Sequence, residues 1–167
     1  MKKMTEENLW NAFAGESQAH MKYMAFAEKA EKENFPNVAR LFKANSFAEK
    51  IHATNHFRTL SGIGKTIENL KAAVEGELFE VEEMYPAYIR VAEEQKEKAA
   101  ENSTKWALEA EKVHAGLYKK AMESVQNGQD VDDMPIHVCQ VCGFTVEGDA
   151  PDTCPVCGSP KDKFTRF

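Results

Sequence analysis

Glu49 with His52, and again Glu111 with His114, are carboxylate–imidazole pairs three positions apart, each set in nearly the same run: Ala48-Glu49-Lys50-Ile51-His52-Ala53 and Ala110-Glu111-Lys112-Val113-His114-Ala115. In an α-helix, residues i and i+3 lie about 60° apart around the axis and about 4.5 Å apart along it, so both members of a pair can reach one ion. Two such pairs, joined by one glutamate from each of two further helices, make a two-metal site in a helix bundle. The further glutamates are present: Ala14-Gly15-Glu16 is matched by Glu75-Gly76-Glu77. Glu16 and Glu77 are offset by 61 positions and the Glu-x-x-His pairs by 62, so the chain reads as two copies of a helical hairpin. The one-residue difference must be absorbed in a loop or a helix bulge. Four inward glutamates are costly unless a positive charge compensates them, and two divalent irons would supply it.

The two copies differ at one chemically important place. Glu80 stands three residues after Glu77, whereas Ala19 stands three after Glu16. Glu80 is therefore an unmatched carboxylate on the ligand face, suited to bind in one oxidation state and release in the other. Tyr23 lies seven residues after Glu16 and Tyr85 eight after Glu77, positions from which each can hydrogen-bond a ligating carboxylate or serve as an ordinary core aromatic. His20 and His56 fall near the inner faces and are expected to support or pack rather than ligate. Glu93, Glu94, Glu97 and Glu101 belong to a solvated charged face, and Phe13, Phe26, Phe42, Phe47, Phe57 and Phe79 are core material.

A second chemistry sits at the C-terminus. Cys139-Gln140-Val141-Cys142-Gly143 and Cys154-Pro155-Val156-Cys157-Gly158 are two knuckles whose four thiolates can close a tetrahedral site. The spacing is specific for a metal but not for its identity: zinc would make the tail structural, and iron would make it a one-electron carrier. All four cysteines lie in this stretch, so they cannot staple the rest of the chain.

The elements that must position these groups are helices. From about Thr5 to Asn127 the chain is rich in Ala, Glu, Lys, Leu and Phe, with apolar residues at three and four spacing. Thr5 is expected to cap a first helix over 5–34, which Asn34-Phe35-Pro36 ends; a second spans 36–61, closed by Ser61-Gly62-Ile63-Gly64. A third, started by Thr66 with Glu68 behind it, runs from 66 toward 98 with a kink at Tyr85-Pro86. A fourth begins near 98–103 and is closed by Asn127-Gly128. The expected organisation is a helical bundle over 1–127, an exposed linker over 128–136, and a metal-organised domain over 137–167. Nine extended residues reach at most about 30 Å, which allows the tail to sit well away from its own helices.

With 167 residues and 43% hydrophobic content, the chain can bury an ordinary core. Its net charge of −6 argues against nucleic acid as a main partner. Glu6, Glu7 and Asn8 stand where the apolar part of a signal peptide would begin, and no long apolar run follows, so a cytoplasmic protein is expected, without a membrane partner.

The order of these motifs resembles the rubrerythrin family over nearly the whole chain: Ala14-Gly15-Glu16-Ser17, Glu49/His52, Glu75-Gly76-Glu77 with Glu80, Met84-Tyr85-Pro86, Glu111/His114 and both cysteine knuckles. The resemblance implies an all-α ferritin-like four-helix bundle followed by a small β- and loop-rich rubredoxin-like domain. It implies a non-haem di-iron peroxidase that reduces hydrogen peroxide to water and protects against oxidative stress. Glu16, Glu49, Glu77 and Glu111 would hold the irons, with His114 a permanent ligand and His52 sharing its iron with Glu80 according to redox state. A second kind of iron would sit on Cys139, Cys142, Cys154 and Cys157, refilled by an external donor such as a rubredoxin or an NAD(P)H-dependent reductase. A homodimer or higher homo-oligomer is expected. Two rival readings are a ferroxidase of ferritin type, which has no need of the cysteine tail, and a scaffold bundle with a structural zinc ribbon.

Overall fold

The computed structural model describes residues 1–167 and divides the chain into two compact units, Met1–Gly64 and Lys65–Phe167. The first is a hairpin of two long helices, α1 (Lys3–Lys32) and α2 (Pro36–Thr59). Its seam is made of small residues: Ala27, Ala30, Ala39, Ser46 and Ala53 are buried, which lets the two backbones approach closely. Aromatic rings cluster alongside the seam at two levels. Trp10, Phe13 and Phe57 form one cluster, and Tyr23, Phe26 and Phe42 the other.

Helix α1 starts earlier than Thr5 suggests. Lys2 is the residue before the helix, and Thr5 lies inside the first turn, where the helix continues without a side-chain cap. The ends are sharper. Asn34 takes a left-handed conformation (φ 62°), and the Phe35 N–H donates to the Ala30 carbonyl at 2.8 Å, closing the last turn. Pro36 then opens α2 with its preset φ. At the end of α2 the left-handed residue is Ser61 (φ 57°), with the Gly62 N–H bonded to the Phe57 carbonyl at 3.0 Å. Gly62 is needed for space: a Cβ there would lie 2.2 Å from the Phe57 ring.

The second unit comprises α3 (Thr66–Phe79), a five-residue π-helical turn (Glu80–Met84), α4 (Tyr85–Glu94), α5 (Lys98–Gln126) and a three-stranded antiparallel sheet. Thr66 is the first residue of α3 rather than its cap; the cap position is Lys65, whose N–H donates to the Glu68 carboxylate at 2.7 Å. The kink expected at Tyr85-Pro86 takes the form of the π turn just before it, in which the Tyr85 N–H donates to the Glu80 carbonyl. Proline at 86 has no N–H to continue the ladder and would crowd the carbonyl four residues back, so widening the turn relieves both faults. The turn also adds the one residue by which the two halves differ in spacing, and it falls between Glu77 and Tyr85. The third helix does not reach 98: α4 ends at Glu94, Lys96 turns left-handed (φ 58°), and α5 begins at Lys98. Gly128 (φ 73°) ends α5 as expected.

The sheet has the order β2-β1-β3, with β1 at Ile136–Cys139, β2 at Thr145–Glu147 and β3 at Phe164–Arg166. His137 pairs with Val146 on one side and Arg166 on the other. The tail does not stand off from its helices within this unit. Strand β2 lies along α5, with the Lys120 ammonium 2.8 Å from the Glu147 carboxylate. The expectation of Phe26, Phe47 and Phe79 as core residues is corrected: they are 48%, 62% and 53% exposed, because a two-helix seam buries one stripe and leaves residues off it open. No helix is long and apolar enough to cross a membrane.

Candidate metal centres

Each unit gathers its own donor set. In the first, Glu16 on α1 and Glu49 and His52 on α2 bring their ligand atoms within 4.8 Å of one another. The i,i+3 geometry places His52 Nδ1 2.9 Å from Glu49 Oε2. Glu49 is largely covered, whereas the His52 ring is 54% exposed. In the second unit, Glu77 at the end of α3 joins Glu111 and His114 on α5, again within 4.8 Å. His114 Nδ1 lies 2.6 Å from Glu111 Oε2 and 4.0 Å from Glu77 Oε1. Its other nitrogen, Nε2, lies 2.8 Å from the hydroxyl of Thr145 on β2.

Electrostatics show what the second set lacks. Burial, a hydrogen bond to Glu111, and the charges of Glu111 and Glu80 push the Glu77 carboxyl from 4.5 up to about 7. Glu80 opens the π turn outside the three-donor cluster; burial and the Glu111 charge raise its pKa, while His114 opposes the shift. The Tyr85 phenol is raised by burial and by Glu80, Glu111 and Glu77, so it sits within their field and stays protonated at neutral pH. A cluster of half-buried carboxylates that resists ionisation fits a multivalent cation. One consequence is measurable. Between pH 4.5 and about 7 the folded metal-free protein holds a proton on Glu77 that the unfolded chain has released, so its stability falls as pH rises through that window. Thermal melts of the metal-free protein should decline from pH 5 toward pH 7.5 through this group, and bound metal should cancel the decline; a flat profile contradicts the assignment.

Tyr23 packs against Phe26 and Phe42 in its own unit. The His20 Nδ1–H is shared between the Ser46 carbonyl (2.9 Å) and hydroxyl (2.8 Å), and the hydroxyl donates back to the His20 carbonyl at 2.9 Å. His20 is thus a seam residue that ties α1 to α2. Thr145 is the site residue that sequence reasoning missed, since no motif links it to a position 31 residues away.

The four cysteines converge as their spacing requires. Cys139 and Cys157 sulfurs are 3.7 Å apart and Cys142 and Cys154 sulfurs 3.5 Å, close to the edge of about 3.8 Å that a tetrahedron with 2.3 Å metal–sulfur bonds would have. Gly143 (φ 80°) and Gly158 (φ 76°) supply the left-handed turns of the two knuckles. Burial opposes ionisation of Cys139, but the Ser159 hydroxyl and the backbone N–H groups of Val141 and Cys142 bring its thiol down to about 6. Cys142 is pushed up by burial and by the neighbouring sulfurs, so the Cys139 thiolate forms readily and a metal must draw out that of Cys142.

These donor sets define a class: a helical metalloprotein with carboxylate and histidine ligands, carrying a small four-cysteine metal domain. The family model for rubrerythrin matches residues 7–122, and that for the rubrerythrin rubredoxin-like domain matches 137–165. Rubrerythrin-2 of Clostridium acetobutylicum is 43% identical, over 98% of this chain and 97% of its own length. Nigerythrin of Nitratidesulfovibrio vulgaris is 36% identical, over 98% of this chain and 86% of its own. A solved structure of nigerythrin in its fully reduced, all-ferrous state has a TM-score of 0.56 at 36% identity, covering 98% of this chain and 86% of that one. The chain belongs to the rubrerythrin family. Its fold class is the expected one, ferritin-like helices with a small rubredoxin-like domain, and its cofactors are a di-iron centre and a four-cysteine iron.

Proposed function

We propose that this iron redox protein is a non-haem di-iron peroxidase of the cytoplasm, reducing hydrogen peroxide to water as a defence against oxidative stress. The reaction balances as one peroxide, two protons and two electrons giving two waters. When bound, the iron pair supplies both electrons in one encounter, so the O–O bond breaks without a one-electron radical product. Glu16, Glu49, His52, Glu77, Glu80, Glu111 and His114 are the residues assigned to hold it, and Cys139, Cys142, Cys154 and Cys157 hold the iron through which electrons enter.

The observation that carries this reading is the docking of the tail. Gly143, which directly follows Cys142, and Thr145 lie against α5 at Ala110 and His114. Electron entry and the second donor set thus adjoin within one unit, an arrangement that a storage or iron-oxidising protein has no use for. Glu80 stands at the head of the π turn outside the three-donor cluster, and would be the carboxylate that binds iron in one oxidation state and withdraws in the other. Tyr85 stays protonated beside the carboxylates and is placed to donate a proton or hydrogen bond. The electron donor is an external one, a rubredoxin or an NAD(P)H-dependent reductase, and the working form is a homodimer or higher homo-oligomer.

Rapid mixing tests the reading. The reduced protein should consume hydrogen peroxide much faster than it consumes dioxygen in the presence of added ferrous iron. The reverse preference would make it a ferroxidase.

A further inference from the structure

We propose that Thr145 is the positioning residue of His114: its hydroxyl fixes the imidazole as the Nε2–H tautomer and turns Nδ1 toward Glu77 and Glu111. The C-terminal domain thereby builds part of the helical metal site of its own chain. The inference rests on the reading of Glu77, Glu111 and His114 as metal donors.

The hydrogen-bond geometry supports this tautomer in the metal-bound site. Thr145 Oγ1 donates its one hydrogen to the Gly143 carbonyl at 3.1 Å. That leaves its lone pairs for His114 Nε2, 2.8 Å away, and with a cation on Nδ1 the ring hydrogen sits on Nε2, where Oγ1 accepts it. Nδ1 faces Glu111 Oε2 at 2.6 Å, where a proton joins the two in the absence of metal, and Glu77 Oε1 at 4.0 Å; a cation bound from that direction takes the proton's place. Metal-ligating histidines are commonly held in this way, by an acceptor on the nitrogen that does not ligate.

The contact belongs to a continuous seam. Three positions two residues apart meet α5 in order: Gly143 at Ala110, Thr145 at His114 and Glu147 at Lys120. An extended segment advances about 13 Å over 143–147, and a helix advances about 15 Å over 110–120, so the two run side by side for the whole length. Thr145 is 7% exposed, and Ala110 beneath Gly143 is 2% exposed. A Cβ added at the left-handed Gly143 would be in ordinary contact with the Ala110 Cβ at 4.0 Å, so the two segments touch there. By contrast, His52 bonds only Glu49, through Nδ1, and its ring is 54% exposed. The duplicated motif therefore carries one braced histidine and one unbraced one.

The test uses full-length protein loaded with zinc, which is diamagnetic, and follows the histidine ring nitrogens by ¹⁵N NMR together with zinc release to a chelator. In the natural chain, His114 should be the Nε2–H tautomer, with solvent exchange slower than that of His52. Thr145→Val, which keeps the shape and deletes the hydroxyl, should abolish the slow exchange and weaken helical-site zinc binding by about 10- to 100-fold. Thr145→Ser should restore both. Unchanged exchange and zinc release in Thr145→Val would overturn the proposal, as would a Thr145→Ser variant as impaired as the valine one, which would make methyl packing the cause. If zinc in the natural chain never engages His114, the donor assignment itself falls and the proposal with it.

Discussion

Alanine at Glu111 removes iron from the helical centre and leaves the four-cysteine iron in place. Glu111 is the residue on which the second donor set converges: its carboxylate bonds His114 at 2.6 Å, hydrogen-bonds Glu77, and raises the pKa of Glu77, Glu80 and Tyr85 by its charge. Loss of a ligand should cost more than the roughly 10- to 100-fold in affinity that loss of a ligand's supporting partner costs. Peroxide turnover should fall with it, by more than about 100-fold. The metal-free variant should be no less stable than the metal-free natural chain, because removing one of several crowded carboxylates relieves repulsion. Iron per chain after anaerobic reconstitution, measured beside the peroxide consumption rate, checks both. Retention of a full helical iron complement would contradict the assignment.

Serine at Cys154 should have an effect of similar size by another route. Cys154 is 2% exposed, at the centre of a domain whose three short strands enclose no apolar core apart from the cysteines themselves and a few neighbours. In small domains of this kind the metal supplies the folding free energy, about 10–16 kcal/mol for zinc in comparable peptides. The variant should lose the visible absorption of the four-cysteine iron and the fixed order of residues 137–167, while α1–α5 keep their helical circular dichroism. Steady-state peroxide reduction driven by an external reductant should drop to background. A pre-reduced sample should still consume about one equivalent of peroxide per chain, since the helical centre can discharge once without being refilled. Unimpaired steady-state turnover would show that electrons do not enter through the tail.

Much of this architecture was legible because metal sites impose spacing. The Glu-x-x-His pairs, their Gly-Glu partners and the two knuckles are constrained by how far donor atoms can be from one ion, and the structure brings each set together. The offset of 61 against 62 called for one extra residue in a loop or a helix bulge, and the π turn at Glu80–Met84 supplies it. What stayed hidden has physical reasons. The break between α4 and α5 lacks the usual glycine signal because Lys96 occupies the left-handed position there, as Asn34 and Ser61 do at two other helix ends. Thr5 misled because a threonine before acidic residues fits the first turn of a helix as well as its cap. Thr145 was invisible because its role depends on how a strand lies on a distant helix, which no local pattern encodes. The exposed Phe47 and Phe79 show the same limit: periodicity marks an apolar face without saying what covers it.

The proposed function requires a peroxide-reducing iron pair and a separate electron-entry iron. Mössbauer spectroscopy of protein fully reduced with ⁵⁷Fe and then given one equivalent of hydrogen peroxide under anaerobic conditions tests it directly. Three irons per chain are expected, in a two-to-one ratio of non-cysteine to cysteine sites, with the pair oxidised together within the first turnover. A single cysteine-bound iron, or a helical pair that remains ferrous after peroxide is added, would contradict it.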